Sequence, residues 1–255
     1  MHADTLSRFV RRLSHNVRDL LFPPHCVGCD ELLPPFDASE PIFCPLCRTS
    51  WEMGRGEWLR NGHRDPAHVN LVAYHTGRAD GVPEKLIYHL KHRDEARVFA
   101  AVAGLLAPGV MEACGELCSV FPCGKTPAIL VSYPPRRRRA ISKDGFDQAE
   151  RISRALSRRC GYRHVKLLSR THARVFEQKR LGQEDRLENA ARAYRLKKGA
   201  EKRVRGCIVV LVDDLVTTGS TLQICADLLH SAGAVAVIYA SVAHTVTHKT
   251  PSSQS

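Results

Sequence analysis

Short apolar runs alternate along the chain with longer segments whose apolar positions recur at helical spacing. Strand-like runs begin at Val69, Ala128, Val165, Ile208 and Ala236. Helical patterns cover Val82 to His92, Glu95 to Leu106, Asp147 to Arg159, Glu184 to Ala191 and Thr221 to Ala232. Continuous apolar strands that alternate with helices predict a parallel sheet with helices on both faces, an α/β domain. We expect this domain over residues 69–247, followed by a polar, disordered tail at 248–255.

The first 22 residues form a separate pattern. Apolar residues from Leu6 to Leu21 recur at helical spacing with arginines largely between them, which predicts an amphipathic helix. Such a helix either lies on a membrane surface or packs on its own domain, and the second is the commoner case. The arginines leave no continuous apolar core for a secretory signal. No apolar run approaches the ~20 residues of a membrane span.

The ten cysteines are clustered, and without a signal peptide they favour a reducing, cytoplasmic location. Cys26 and Cys29 form one CxxC pair, and Cys44 and Cys47 form a second. Two such pairs supply the four thiolates of a structural Zn²⁺ site, here in a zinc-ribbon module over residues 23–53. Two disulfides or an iron site are the alternatives. We interpret the Gly-, Arg- and His-containing residues 54–68 as a linker.

Two adjacent aspartates end the most apolar strand, Ile208 to Val212. Asp213 and Asp214 precede the hydroxyl-rich turn from Thr217 to Thr221, which leads into a helix. Such a turn directs backbone N–H groups and a helix dipole at an anion. The pattern therefore predicts a phosphate on the turn and sugar hydroxyls on the carboxylates, as in a ribose 5-phosphate. The alternative is an ordinary helix start capped by Ser220 or Thr221, which leaves the two aspartates unexplained.

The formal net charge of +12 predicts attraction to polyanions, although a solvated basic face is the simpler reading. Residues 136–180 are especially rich in arginine and lysine and contain aromatic residues. Basic grooves with stacking rings bind single-stranded nucleic acid.

The stretch VVLVDDLVTTGST resembles the phosphoribosyl pyrophosphate (PRPP) motif of type I phosphoribosyltransferases. Together with the two CxxC pairs, it makes the chain similar to the ComF family, which is associated with DNA uptake in bacterial competence. LIYHLKHR resembles the family's apolar helix that ends in lysine, and SRTHARVFEQKRLGQEDRLENAARAYRL resembles a later block of the family. VSYPPRRRRAISKDGFDQ resembles its arginine-rich loop and RGFNQ signature. Asp144 and Asp147 replace the arginine and asparagine of that signature, and Asp144 removes a positive charge.

The resemblance implies a set of functional residues and Mg²⁺-dependent displacement of pyrophosphate from PRPP by a nitrogenous acceptor. PRPP-binding residues would be Asp213, Asp214, Thr217, Thr218, Gly219, Ser220 and Thr221. Catalytic residues would be Lys91, Arg136 and Arg139, with Lys143 and the neighbouring arginines as a charged lid. Phe146, Phe176 and Tyr194 either stack on a nucleobase or belong to the core. The competing hypothesis is a non-catalytic adapter that binds single-stranded DNA beside a competence helicase.

Overall fold

The structure, a computed structural model, describes residues 23–33, 41–60, 67–76, 79–122, 126–171 and 193–246. The helices predicted over residues 1–22 and over Glu184 to Ala191, together with Phe176 and the tail 248–255, lie outside these residues. In chain order the elements are α1 (Pro45–Arg60), β1 (His68–His75), α2 (Val82–His92), α3 (Ala96–Ser119), β2 (Ile129–Ser132), α4 (Arg138–Asp144), α5 (Gln148–Cys160), β3 (Arg163–His164), β4 (Leu168–Arg170), β5 (Tyr194–Leu196), α6 (Ala200–Val204), β6 (Ile208–Val216), α7 (Ser220–Ser231) and β7 (Ala236–Val246).

Within the described residues, five strands form a wholly parallel sheet in the order β1-β7-β6-β2-β3. Strands β4 and β5 form a separate antiparallel pair. The expected α/β architecture is therefore confirmed. From β2 the chain continues through α5 to β3, and from β6 it continues through α7 to β7. The connection after β2 runs towards one edge of the sheet, and the connection after β6 runs towards the other edge. A crevice therefore opens between the carboxyl ends of these two neighbouring strands, where ligands bind in such sheets.

Both faces of the sheet are covered. Side chains alternate between the faces along a strand, so Val210 and Val212 of β6 pack with helices α2, α3 and α5, whereas Val209 and Leu211 pack with α7. By the same alternation, Asp214 belongs to the face of Val210 and Val212, and Asp213 belongs to the face of Val209 and Leu211. The two neighbouring carboxylates therefore belong to different faces of the strand.

Two predicted elements end elsewhere. The helix predicted to end at Leu106 continues through Pro108 to Ser119, because Val110 and Cys114 beyond the proline are buried and packing outweighs the lost hydrogen bond. Only the last three residues of the strand predicted from Val165 form a strand, β4, and the two-residue β3 precedes Val165. The Val165 N–H still bonds the β2 carbonyl of Val131 at 2.9 Å, but residues 168–170 turn away to pair with β5.

Helix α3 is long and apolar enough to cross a membrane by length and composition alone. Half of its most apolar stretch is buried inside the protein, where it packs against α5, β7 and β1. These contacts are those of a core helix, which passes the same test of length and composition.

The cysteine-rich segment packs directly on the sheet domain. Cys26 and Trp51 share one apolar core with Leu86 and Val72 of the larger domain. Arg97 of α3 donates to the backbone carbonyl of Pro41 at 2.7 Å and to that of His25 at 3.2 Å. The two parts therefore form one continuous core.

The prediction of a linker over residues 54–68 is wrong for residues 54–60, because α1 continues to Arg60. Trp58 is buried in that part of the helix and stacks on His244 of β7, with ring centroids 5.8 Å apart. Sequence composition suggested a loop because glycine and charged residues surround this single anchoring tryptophan.

Candidate functional site

The acidic pair lies inside strand β6 and not beyond it. The strand continues to Val216 because the long β7 keeps pairing with it, Asp213 opposite Ser241 and Leu215 opposite Ala243. The expectation that the strand ends at Val212 is therefore wrong. Both carboxylates still lie in the second half of the strand, and Asp214 faces Gln148 of α5 and Lys91 of α2.

Asp214 is buried and has two polar neighbours from other elements. The side-chain Nε2 of Gln148, at the start of α5, donates to its Oδ2 at 3.2 Å. The ammonium Nζ of Lys91, in the last turn of α2, lies 4.0 Å from the same oxygen. The fold thus brings together two residues that the sequence analysis selected, Lys91 and Asp214, and adds Gln148, the last residue of the RGFNQ-like stretch, to which the sequence analysis gave no role.

Asp213 has a different environment. It is half-buried, and its Oδ1 accepts a hydrogen bond from the Asp214 backbone N–H at 2.9 Å. Burial and the neighbouring Asp214 carboxylate raise the pKa of Asp213 well above its ordinary value.

The hydroxyl-rich turn forms the start of α7. Gly219 is the N-cap residue in the left-handed conformation, with φ of 73°, and it has no side chain to cap the helix. The Thr218 and Ser220 hydroxyls lie 2.9 Å apart, and the Ser220 N–H reaches Thr218 Oγ1 only at 3.5 Å. The alternative in which Ser220 or Thr221 caps the helix is therefore wrong. The first-turn amides of α7 have no capping side chain from Gly219, and the helix dipole at this end favours an anion.

The loop after β2 carries the predicted arginines. Arg136 Nη2 lies 3.0 Å from Asp144 Oδ2, and the Arg136 backbone N–H donates to Asp147 Oδ2 at 3.0 Å. Arg139 is exposed on α4 and forms no ion pair with a described residue. The structure therefore gives the two predicted catalytic arginines different surroundings.

A partly exposed network of polar side chains lies next to this loop. The Tyr133 hydroxyl, directly after β2, donates to Glu150 Oε2 at 2.5 Å, and Lys166 and Arg154 each pair with Glu150 at 2.8 Å. Burial alone would raise the pKa of Glu150, but the hydrogen bonds from Lys166, Tyr133 and Arg154 outweigh it and lower the pKa to about 2. Sequence pattern did not reveal Glu150, because nothing local links it to Lys166.

The two aromatic residues that the structure describes lie in the core. Phe146 is buried edge-on against Phe99, with ring centroids 6.0 Å apart. Tyr194 is buried beneath Arg170, which lies 4.8 Å from its ring centroid and donates to its hydroxyl at 2.6 Å. These packing contacts favour the core interpretation over base stacking.

A cavity of about 380 Å³ borders the hydroxyl-rich turn. Thr218, Gly219 and Ser220 line it, together with His68 and Tyr239. His68 and Tyr239 stack on each other with ring centroids 4.5 Å apart, on strands β1 and β7. The hydroxyl-rich turn therefore borders a cavity that residues of β1 and β7 also line.

The four cysteines of the two CxxC pairs converge on one point. Their sulfur atoms all lie within 4.8 Å of one another, and the Cys29 and Cys44 sulfurs are 3.6 Å apart. Tetrahedral zinc with bonds of about 2.3 Å requires sulfur separations of about 3.8 Å. An added Cβ at Gly28 would come within 2.7 Å of Cys47 Sγ. The turn from Cys26 to Cys29, called the first knuckle below, therefore leaves room only for glycine at this position.

The electrostatics of this cluster also suit a cation. Burial would raise the pKa of Cys26, but N–H donors from Cys44 at 3.2 Å and Gly28 at 3.4 Å outweigh it and lower the pKa to about 7. Burial and the surrounding thiols raise the pKa of Cys47. Four converging thiolates repel one another, and a central dication removes that repulsion. The donor set and spacing fit structural zinc.

Comparisons with known proteins agree with this arrangement. Residues 140–254 match the family described as phosphoribosyl transferase domain. The sheet, the acidic pair and the hydroxyl-rich turn therefore define a protein with a type I phosphoribosyltransferase-like domain, preceded by a four-cysteine module. The DNA utilization protein YhgH of Escherichia coli (strain K12) is 34% identical over 206 residues, which cover 78% of this chain and 82% of that protein. The chain belongs to the ComF family.

Solved structures show a more distant likeness. A glutamine PRPP amidotransferase from B. subtilis gives a TM-score of 0.37 at 16% identity, and the match covers 61% of this chain but only 30% of the amidotransferase. A hypoxanthine phosphoribosyltransferase from Staphylococcus aureus gives a TM-score of 0.33 at 11% identity, with 64% of this chain and 82% of that enzyme covered.

Proposed function

We propose that the protein binds PRPP or a related ribose 5-phosphate in the crevice between β6 and β2. The observation that carries the proposal is that the Lys91 ammonium lies 4.0 Å from the Asp214 carboxylate, at the end of the strand that leads into α7. The N-terminus of α7 has no capping side chain. Asp213 and Asp214 would take the ribose hydroxyls. The turn formed by Thr217, Thr218, Gly219, Ser220 and Thr221 would take the 5-phosphate.

The same residues suit transfer of the phosphoribosyl group to a nitrogenous acceptor. The bond between C1 of the ribose and pyrophosphate breaks as a bond from C1 to the acceptor nitrogen forms, and the positive charge that develops on the sugar ring requires nearby anionic groups. Lys91 and the arginines of the loop after β2 would neutralise the departing pyrophosphate. Mg²⁺, which prefers oxygen ligands, would be held by ligand oxygens together with the Asp213 and Asp214 carboxylates and would supply further charge neutralisation.

The cysteine module has a structural function in this proposal. A Zn²⁺ ion held by Cys26, Cys29, Cys44 and Cys47 would fix the module against α3 and the sheet. Four thiolate ligands leave no open coordination position for catalysis. None of the described cysteines forms a disulfide, which is compatible with zinc binding by these four thiolates in a reducing compartment.

Calorimetric titration of the protein with PRPP and Mg²⁺ tests the proposal. We expect wild-type protein to bind and Asp214→Asn to bind roughly tenfold or more weakly, because a charge-assisted hydrogen bond contributes about 1.5–3 kcal/mol. Asp227→Asn is the matched control, since Asp227 is exposed on α7 and bonds only Gln223 there among the described residues. Equal PRPP affinity in Asp214→Asn and Asp227→Asn, or no binding by wild-type protein, contradicts the proposal.

A second candidate function is a single-stranded DNA adapter in DNA uptake, which would act beside a competence helicase. The relative YhgH is named a DNA utilization protein. Arg137, Arg138 and Arg139 are exposed side by side and form no ion pair with a described residue, as a phosphate-binding surface requires. Binding of a single strand would then weaken steeply with salt, and alanine at these three positions would reduce the salt dependence. DNA binding that is insensitive to both changes contradicts this candidate.

A further inference from the structure

Gln148 is a buried polar residue beside the acidic pair. It is the first residue of α5, it follows the capping Asp147, and only 4% of it is exposed. Its Nε2 donates to Asp214 Oδ2 at 3.2 Å. Because a carboxylate accepts and does not donate, this bond fixes the orientation of the amide, with the NH₂ group towards Asp214 and the carbonyl directed elsewhere.

The carbonyl oxygen of Gln148 has no hydrogen-bond partner among the described residues. Buried polar atoms are rarely left unpaired, because burial removes the hydrogen bond that water would provide. The NH₂ group of Gln148 thus bonds Asp214, whereas its carbonyl oxygen lacks a donor. This unpaired oxygen belongs to a residue of the proposed binding site.

The ammonium of Lys91 lies near the Asp214 carboxylate that Gln148 bonds. It is 4.0 Å from Asp214 Oδ2, beyond hydrogen-bond distance, and the Lys91 side chain is 35% exposed, whereas that of Asp214 is only 7% exposed. An anionic ligand attracts the ammonium away from the carboxylate. The Asp214 carboxylate would then be free to accept from the ligand, next to the residue whose carbonyl has no donor, Gln148.

Two neighbouring acceptors fit two neighbouring hydroxyl donors. We propose that the Gln148 carbonyl accepts a hydrogen bond from a ribose hydroxyl and, together with Asp214, makes the crevice selective for ribose over 2-deoxyribose ligands. This inference rests on the proposed binding of a ribose phosphate. A 2-deoxy sugar offers one hydroxyl fewer and leaves one acceptor buried and unpaired, which is the arrangement that discriminates most strongly between such ligands.

The selectivity has a consequence for DNA. A DNA strand carries no 2-hydroxyl groups, so it gains nothing from the second acceptor in this crevice. Gln148 would therefore favour a ribose ligand over a DNA strand in this crevice.

Calorimetric titration with ribose 5-phosphate and with 2-deoxyribose 5-phosphate at one ionic strength tests the inference. We expect wild-type protein to bind the ribose compound about tenfold or more tightly. Gln148→Met removes the amide at similar volume, and the preference should fall to about threefold or less, mainly through weaker binding of the ribose compound. Gln223→Met is the matched control, because Gln223 also donates through Nε2 to an aspartate, Asp227, at 2.9 Å but is exposed. It should keep the wild-type preference.

The outcomes separate this inference from the proposed function. Wild-type protein that binds PRPP but shows no preference between the two sugar phosphates overturns the selectivity and leaves PRPP binding intact. A Gln148→Met variant that weakens both ligands by the same factor shows that Gln148 only supports the fold, which also overturns it. Wild-type protein that binds none of the three ligands overturns both proposals. If Gln148→Met does not fold, Gln148→Leu provides the same comparison with different packing, and the wild-type preference remains a test in either case.

Discussion

Arg136 and Asp144 form an ion pair at 3.0 Å, with the arginine side chain 23% exposed and the aspartate 10% exposed. Asp144 occupies the position of the arginine in the RGFNQ signature. The substitution therefore does more than remove a charge, because it supplies a partner for an arginine eight residues earlier. Asp147, the second departure from the signature, bonds the backbone of the same arginine.

Release of Arg136 should strengthen anion binding. In Asp144→Asn the guanidinium loses its ionic partner, and we expect inorganic pyrophosphate to bind roughly three- to tenfold more tightly, as measured by calorimetry at low salt. Asp94→Asn is the control, since Asp94 pairs with Arg151 on an exposed part of the surface. Unchanged or weaker pyrophosphate binding in Asp144→Asn would show that Arg136 does not face the anion.

Loss of one cysteine should abolish metal binding by the N-terminal module. We expect one zinc per chain by elemental analysis of wild-type protein and a marked loss of thermal stability on chelation, because structural zinc contributes folding free energy. Cys47→Ser should lose the metal, whereas Cys118→Ser, outside the cluster, should retain it. A zinc-free wild-type protein of equal stability would refute the assignment.

The first knuckle should not tolerate a side chain at Gly28. Gly28→Ala places a Cβ 2.7 Å from Cys47 Sγ, so the cluster must shift and zinc affinity should fall at least tenfold in a competition assay with a chelating dye. Gly104→Ala in α3 meets nothing within 4 Å and should leave zinc affinity unchanged. The same zinc affinity in both variants would mean that the knuckle is looser than the structure shows.

The Glu150 network should make stability depend on pH below 5. The pKa of Glu150 is about 2 in the folded protein against an ordinary value of 4.5, so its ionised form stabilises the fold above about pH 4.5. That stabilisation is lost as the pH falls from 4.5 through 2. Glu150→Gln should therefore lower the free energy of unfolding by roughly 1–2 kcal/mol at pH 7, and the difference from wild type should vanish near pH 2.

Urea unfolding of both proteins at pH 7, 4 and 2.5 measures this difference. Glu57→Gln is the control, because Glu57 is exposed on α1 and forms no ion pair with a described residue. A difference between wild type and Glu150→Gln that is independent of pH would contradict the network.

Much of the fold was predictable because its determinants are local. The apolar run from Ile208 and the helical spacing from Val82 to His92 fixed the type of each element, and the latter helix has the bounds that were predicted. The four cysteines were found because their chemistry is tied to a short spacing. The end of β6 was not predictable, since its last residues are held in the strand by pairing with β7.

The polar contacts of the site depend on residues far apart in the chain. Lys91, Gln148 and Asp214 come from α2, α5 and β6, and the match of residues 145–148 to the family signature does not by itself show that Gln148 reaches the acidic pair. Nothing in the local sequence links Lys166 to Glu150 either. Helix α1 was missed because the burial of Trp58 depends on His244 of the last strand.

A crystal structure of the protein with PRPP and Mg²⁺ tests the central claim most directly. The account predicts the 5-phosphate within hydrogen-bond distance of the backbone amides between Thr217 and Thr221, with the ribose hydroxyls on Asp213 and Asp214. PRPP bound elsewhere, or a phosphate held by other residues while this turn contacts only solvent, would contradict it.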